Sequence, residues 1–228
     1  MNDFIELMEQ RRISYLILRD LFANKPTKEY LSALFEHSIL ELLPEESNQI
    51  LKIEKEKLIS MQRLIISGEK IIEDSPELQY YYLFENPVHL IAPLWESSYF
   101  HPEGLTFQEQ TFEVRKKYLK YQFIANGFPQ EPDDHLVTEL DFMVKLIGLS
   151  IDEKKNKNEI IEDQIVFLKE HLLNWGGLLA ERIHSYKEGI WFHSVINYFM
   201  RFLLDDFNYL SNIKRNDTTK KRGCFSEG

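Results

Sequence analysis

Residues 131–143 read EPDDHLVTELDFM and place three acids, a proline and a histidine directly before an apolar run. The apolar run has helical spacing and comprises Leu136, Leu140 and Met143, continued by Val144 and Ile147. The stretch therefore predicts a helix with Pro132 in its first turn and with both aspartates where the helix dipole is positive. This capping account leaves His135 and Glu139 unexplained. The residues alone leave two interpretations open, a helix start and a binding site.

The same helical spacing recurs along almost the whole chain, and strand signals are nearly absent. The sequence predicts an all-α fold of about nine or ten helices, with Thr27, Ser75 and Thr106 as caps that begin three of them. The predicted helices span about 3–23, 27–39, 47–67, 75–84, 106–126, 131–149, 160–174, 177–186 and 190–213.

The predicted helices form a single globular domain built from two halves. An N-terminal half spans 1–130, and a C-terminal half spans 131–213 and begins at the EPDDH hinge. The loop at 127–130 is the boundary between them. Residues 152–159, with the sequence DEKKNKNE, form a solvated linker or a helix start, and residues 214–228 form a basic flexible tail.

Composition and charge exclude several classes of protein. The 228 residues carry a formal net charge of −10, although the tail after residue 213 is basic. An acidic body repels phosphate backbones, so we expect a basic partner and no nucleic acid. The single cysteine, Cys224, forms no internal disulfide, which agrees with a reducing cytoplasm. No apolar run reaches 18 residues, so the sequence predicts no membrane span.

The stretch QRRISYLIL at residues 10–18 resembles an export signal because two arginines precede an apolar run. Arg19 and Asp20 end that run, and no small-residue cleavage site follows. We therefore predict a core helix here. Its buried face comprises Phe4, Leu7, Met8, Arg11, Tyr15, Leu18 and Phe22.

An aromatic segment, PLWESSYF at residues 93–100, contains a proline that breaks a helix and more aromatic surface than a short segment needs. Each of these aromatic residues is individually explained by an ordinary core. Placed beside the acidic stretch, Trp95 and Tyr99 would instead suit a basic peptide with an apolar portion.

Three function classes remain open from the residues alone. Asp134, His135 and Glu139 are spaced so that they could ligate a metal ion, which would suit a metal-dependent helical hydrolase. A lone pair four residues apart is also typical of an ordinary contact within a helix. The other two classes are a peptide-binding protein and a plain helical scaffold or regulatory protein.

Three stretches together resemble the TorD/DmsD/NarJ family of redox-enzyme maturation chaperones. EPDDH at 131–135 is similar to the family's E-P-x-D-H signature, and PLWESSYF is similar to its upstream aromatic segment. FLKEHLLNWGGLLAERI at 167–183 resembles the pattern F-L-x-x-H-L-x-x-W. The three occur in the family's order, and the resemblance covers about residues 5–210.

The resemblance implies an all-α cytoplasmic chaperone that is not an enzyme and holds no cofactor of its own. Such a protein binds the twin-arginine signal peptide and the apo catalytic subunit of a molybdopterin oxidoreductase. It assists cofactor insertion and prevents premature export. The resemblance also implies a monomer or a domain-swapped homodimer, with the loop around Gly127 as the exchange hinge.

By the same resemblance, the peptide site would combine a charged hinge with an apolar wall. Glu131, Pro132, Asp134 and His135 match the hinge signature, and Trp95 matches the wall. Tyr99 joins the wall by proximity, and Glu139 joins the set of peptide-binding residues. Carboxylates near Asp134 would accept hydrogen bonds from the arginines of the peptide.

Overall fold

The computed structural model describes residues 2–45, 49–68, 74–152 and 156–223. In this part of the chain the fold is all-α, as predicted, and no β-strand forms. The helices are α1 (Asn2–Ala23), α2 (Lys28–Glu36), α3 (Gln49–Ser67), α4 (Pro76–Tyr80), α5 (Ser97–Phe100), α6 (Glu109–Lys120), α7 (Leu136–Ile151), α8 (Lys157–Phe167), α9 (Leu173–Ser185) and α10 (Ile190–Gly223). A 3₁₀ turn (Ile39–Leu42) and two π turns (Tyr81–Glu85 and Leu168–Leu172) join them.

Local caps begin and end several helices where the sequence predicted them. The Thr27 hydroxyl accepts a hydrogen bond from the Tyr30 amide at 3.1 Å, and α2 follows. Ser75 caps α4 in the same way, with a proline at the first helical position. Gly68 has a φ of +76°, a conformation that costs a glycine little, and ends α3.

Two of the misplaced helix boundaries concern α6 and the segment from α8 to α9. Thr106 does not cap α6, because Phe107 has a φ of +58° and the helix begins only at Glu109. No break occurs at Gly176 and Gly177, since α8, a π turn and α9 form one continuous helical segment from Lys157 to Ser185. Gly176 instead allows close packing, because a Cβ there would lie 2.8 Å from the sulfur of Met200.

The core is formed by helices from both predicted halves. α1 packs mainly against α7, while α10 packs against α3 and α9. The α1 face buries Met8, Tyr15, Leu18 and Phe22 as predicted, but Leu7 is exposed. The division of the chain at residue 131 stays a prediction.

Arg11 is buried and ties α1 to α10. Its Nη2 atom donates to Asp206 at 2.8 Å, and the hydroxyl of Tyr15 donates to the same carboxylate. A buried charge needs such a partner to offset its lost hydration. Arg11 is therefore part of the fold, as the interpretation of residues 10–18 as a core helix required.

α10 continues to Gly223, ten residues beyond the boundary predicted at 213. Residues 224–228, including Cys224, and residues 153–155 of the predicted 152–159 linker lie outside the described residues. No helix in the described ranges combines the length and the apolar content needed to cross a bilayer.

Candidate functional site

α7 begins later than the sequence predicted. Its N-cap is His135, whose Nδ1 atom accepts a hydrogen bond from the Val137 amide at 3.2 Å. Pro132 is buried but lies before the helix rather than in its first turn, and Asp133 and Asp134 form a turn there. The prediction that the aspartates serve as charges within the first turn is therefore wrong, since tertiary contacts hold both of them.

The aromatic segment and the hinge stretch cross each other directly. Trp95 and His135 form an isolated antiparallel bridge, flanked by two backbone hydrogen bonds. The Leu136 amide donates to the Leu94 carbonyl at 2.8 Å, and the Glu96 amide donates to the Asp134 carbonyl at 3.0 Å. The rings of Trp95 and His135 meet edge to face, with centroids 5.0 Å apart. We call this contact the hinge crossing.

Asp134 is completely buried at the hinge crossing, and both of its carboxylate oxygens accept short hydrogen bonds. The Ser97 amide, at the start of α5, donates to Oδ2 at 2.6 Å. The Thr111 hydroxyl, on α6, donates to Oδ1 at 2.6 Å. Asp134 thus joins three segments. Direct contact between Asp134 and a peptide stays a prediction, and it would require these bonds to open.

Asp133 fixes α6 to the same turn. Its Oδ2 atom lies 2.5 Å from Nε of Arg115, and the Tyr118 hydroxyl donates to its carbonyl oxygen. The guanidinium of Arg115 also lies over the rings of Phe112 and Phe128, 5.5 and 5.1 Å from their centroids. Arg115 therefore connects the hinge stretch with the loop that precedes it.

The third sequence signature also reaches the hinge crossing. His171 lies in the π turn, and its Nδ1 atom is 2.8 Å from Oε2 of Glu96, with both side chains at most 2% exposed. The indole Nε1 of Trp175 donates to Oε2 of Glu139 at 3.2 Å. The signatures quoted from the sequence contain Glu96, His171 and Trp175, but sequence reasoning gave these three residues no role.

Burial sets the protonation of two site residues. It raises the pKa of Glu139 well above its ordinary value, and the nearby charges of Glu96 and Asp134 add to the effect. Burial therefore favours the neutral form of the Glu139 carboxyl group. Burial also lowers the pKa of His135 to about 4, against the opposing effect of Asp134. His135 is thus a neutral imidazole, as its role as a hydrogen-bond acceptor in the cap requires.

The predicted apolar wall is only partly covered. Trp95 and Tyr99 are both half-buried. The ring centroids of Tyr99 and Trp175 lie 5.2 Å apart, and the guanidinium of Arg182 lies 4.3 Å from the centroid of the Tyr99 ring. Neither the Trp95 Nε1 atom nor the Tyr99 hydroxyl has a hydrogen-bond partner among the described residues. Trp95 and Tyr99 thus pack against other rings of the protein and still expose part of their own rings to solvent.

Glu131 is exposed at the end of the hinge loop. Its amide donates to the Gly127 carbonyl at 2.9 Å, and a Cβ at position 127 would lie only 2.6 Å from the Glu131 Cβ. Gly127 is needed for this close turn. The peptide bond between Phe128 and Pro129 is cis.

The structure brings most of the predicted site residues to one place but gives them separate partners. Asp134, His135 and Glu139 form hydrogen bonds with three different groups, so they do not converge on a common ligand position. Within the described ranges, no three His, Cys, Asp or Glu side chains are placed to hold a metal ion. The metal-dependent hydrolase hypothesis therefore gains no support from this site.

Comparison with known proteins supports the resemblance. Chaperone protein TorD of Vibrio atlanticus is 26% identical over 217 residues, which cover 92% of this chain and 99% of that protein. TorD of Psychrobacter sp. is 23% identical over 210 residues, or 89% of this chain and 92% of that protein. The probable Tat proofreading chaperone DmsD of Haemophilus influenzae is 28% identical over 115 residues, covering 50% of this chain and 52% of that protein.

A family model described as the nitrate reductase delta subunit matches residues 56–181, more than half of the chain. The matched region includes the aromatic segment, the hinge stretch and the π turn with His171. The predicted relationship to the TorD/DmsD/NarJ chaperones is thereby confirmed. The chain belongs to the nitrate reductase delta subunit family.

Proposed function

We propose that this protein is a chaperone for the maturation of a molybdopterin oxidoreductase. It binds the twin-arginine signal peptide and the apo catalytic subunit in the cytoplasm, assists cofactor insertion and prevents premature export. The single observation that carries the proposal is that three family signatures, far apart in the chain, meet at the hinge crossing of a chain in this family. The proposal includes no catalytic step.

The hinge crossing supplies features that suit an extended or helical peptide. Trp95 and Tyr99 offer partly exposed rings, and Phe100 beside them is 41% exposed. Trp95 Nε1 and the Tyr99 hydroxyl would each donate to a peptide carbonyl, although both atoms are covered in this conformation. Binding through them therefore includes a local opening of the crossing. Glu131 is exposed at its edge, His135 is partly buried, and Pro132 is buried.

The affinity should be moderate. An apolar signal-peptide run buries a few hundred Å² of apolar area, but a flexible peptide loses much conformational freedom on binding. We expect a dissociation constant on the order of 1 µM. Such binding captures a client and still releases it to the export apparatus.

Calorimetric titration tests the proposal directly. The ligands are synthetic twin-arginine signal peptides of molybdopterin oxidoreductases from the source organism, each paired with a version in which both arginines are alanine. We expect micromolar binding of at least one native peptide and at least tenfold weaker binding of its alanine version. Equal affinities for both versions, or no binding of any native peptide, would contradict the proposal.

Single substitutions locate the site. Trp95→Ala and Tyr99→Ala should each weaken binding about tenfold, since each removes part of the apolar wall. Tyr81→Ala is the matched control, because Tyr81 is a partly exposed aromatic residue in the π turn after α4. If the control and both wall variants bind alike, Trp95 and Tyr99 are core residues only.

Size-exclusion chromatography with light scattering separates the monomer from the proposed domain-swapped homodimer.

A further inference from the structure

A second surface with the properties of a binding site lies on the outer side of α1, away from the hinge residues. Leu7, Ile13 and Leu16 project from α1 with 41, 38 and 37% of their surface exposed, and Leu42 of the 3₁₀ turn is 52% exposed. Two cavities, of about 650 and 240 Å³, lie along this side and share Ile13 and Leu42. Because they share these two lining residues, the two cavities are adjacent, and together we call them the α1 groove.

Charge is distributed unevenly along the α1 groove. The end near the start of α1 is lined by Asp3, Glu6 and Glu9, whereas the far end is lined mainly by apolar residues. Glu9 is engaged by Arg12 at 2.8 Å. Asp3 and Glu6 are exposed and form no hydrogen bond or ion pair with another described residue. The groove thus offers two unpaired carboxylates followed by an apolar channel.

The length of the groove matches a short apolar helix. Asp3 and Leu16 are thirteen residues apart on α1, which corresponds to about 20 Å at the rise of an α-helix. A helix of about 13 apolar residues has the same length and would lie in the groove as amphipathic helices lie in other helical receptors. Cationic residues at the start of that helix would lie beside Asp3 and Glu6, so the bound helix would run parallel to α1.

The hinge crossing, in contrast, has few carboxylates available to arginines. Both oxygens of Asp134 are occupied, Asp133 is paired with Arg115, and Glu139 is buried beside Trp175. Among the hinge carboxylates named above only Glu131 is exposed, so a twin-arginine peptide that bound only there would have one accessible carboxylate for its two arginines in this conformation. Charge complementarity therefore favours the α1 groove for the cationic part of the ligand.

We propose that the α1 groove binds the arginine pair and the adjoining apolar run of the client's signal peptide, with Asp3 and Glu6 receiving the guanidinium groups. This inference rests on the proposed function and adds a second binding surface to it. The hinge crossing would then contact another part of the peptide or of the apo-subunit.

A double-mutant cycle tests the inference. The probe is a fluorescein-labelled synthetic peptide with two adjacent arginines before a run of about 13 leucine and alanine residues, compared with its double-alanine version. Asp3→Lys/Glu6→Lys should weaken binding of the arginine peptide at least tenfold in fluorescence anisotropy. The same variant should bind the arginine peptide no more tightly than the alanine peptide, because the two introduced lysines repel the arginines. Ile13→Asp should weaken binding of both peptides.

Matched controls separate the groove from general effects. Glu56→Lys reverses one exposed charge on α3 outside the groove, and Leu78→Asp changes an α4 residue with the same 38% exposure as Ile13. Both controls should leave affinity within about twofold. Thermal unfolding of each variant shows whether it is folded, and the charge variant remains informative if Ile13→Asp is not.

The possible outcomes are distinct. If the parental protein binds the arginine peptide and Asp3→Lys/Glu6→Lys binds it equally well, the groove inference is overturned and the proposed function stands. If the parental protein binds native signal peptides but not the arginine probe, the groove inference alone is overturned, and if it binds neither, both fall. If the groove variants change the sedimentation of the protein instead of peptide affinity, the groove is an interface between copies of the chain, and the inference is likewise overturned.

Discussion

The hinge crossing and the α1 groove both contain carboxylates beside apolar side chains, but the carboxylates differ in burial and in hydrogen bonding. At the hinge crossing, Asp134 and Glu96 are buried and bonded to protein groups. In the α1 groove, Asp3 and Glu6 face solvent without a partner in the described residues. A buried, bonded carboxylate holds segments of the fold together, whereas an exposed, unpaired one is available to a ligand. A match to a binding signature therefore does not by itself identify the atoms that touch the ligand.

The largest expected effect is at Asp134. Replacing it with alanine leaves the Ser97 amide and the Thr111 hydroxyl without their acceptor in a buried place, so we expect a loss of about 3–4 kcal/mol in the free energy of unfolding. Thr111→Val removes only one of the two bonds and should cost about 1–2 kcal/mol. Urea denaturation measures both. An Asp134→Ala protein of parental stability that no longer bound peptide would make Asp134 a direct ligand contact and contradict the distinction drawn above.

Glu96 and Glu139 form a second pair of buried acids that sharpens the comparison, because Glu96 contacts an imidazole and Glu139 accepts from an indole. Glu96→Gln disturbs the contact with His171 and should cost about 2 kcal/mol. Glu139→Gln replaces an acid whose pKa is raised by burial with an uncharged amide of the same shape. It should therefore cost less than Glu96→Gln in the free energy of unfolding at pH 7. A larger cost for Glu139→Gln than for Glu96→Gln would contradict a raised pKa of Glu139.

The pH dependence of stability isolates the cap of α7. Burial lowers the pKa of His135 to about 4, so the folded protein binds fewer protons than the unfolded chain between pH 4 and about 6.5. Stability that is present above this range is lost as the pH falls through it.

His135→Asn keeps a capping side chain but removes the titration. Between pH 7 and pH 5, the variant should lose about 2 kcal/mol less than the parental protein. The raised pKa of Glu139 acts in the opposite direction, but it is common to both proteins and cancels in the difference. Parallel pH profiles for the two proteins would show that His135 titrates normally.

The smallest expected effect is in the α1 groove. Asp3→Asn/Glu6→Gln removes two exposed charges without a described partner, so the free energy of unfolding should change by less than about 1 kcal/mol. Chemical denaturation in low salt is the measurement, since screening would hide a small electrostatic contribution. A destabilisation close to that of Asp134→Ala would mean that these acids support the fold and that the two regions are alike.

Local signals made part of this structure predictable. Thr27, Ser75 and Gly68 act within one turn of the chain, and each marks a helix end that the sequence located correctly. The start of α7 was misplaced because Asp133 and Asp134, which look like charges at a helix start, are held by Arg115 and Thr111 of α6. Those contacts join residues 18 and 23 positions apart and leave no local trace.

The closeness of the motif segments was predictable from the sequence, but the chemistry of their side chains was not. The motifs placed Trp95, Tyr99, Asp134 and His135 near one another, and the structure brings these segments together. Burial decides which side chains are neutral and which are bonded within the protein, and burial depends on packing by helices that are distant in the sequence. Leu7 is a further example, because helical spacing alone put it on the buried face while the structure leaves it exposed in the groove.

The π turn at Leu168–Leu172 has a consequence for the spacing of the F-L-x-x-H-L-x-x-W signature. In a regular α-helix, Phe167 and Trp175 are eight residues apart and would point about 80° away from each other around the axis. A π turn rotates the chain less per residue and removes most of this divergence. One helical segment can thereby direct Phe167, His171 and Trp175 to the same side, toward Phe142, Glu96 and Glu139 respectively. The π turn thus brings Trp175 back to the side of the helix that Phe167 occupies. A helical wheel drawn at 100° per residue would place the Trp175 indole about a quarter turn away from Glu139, which it contacts.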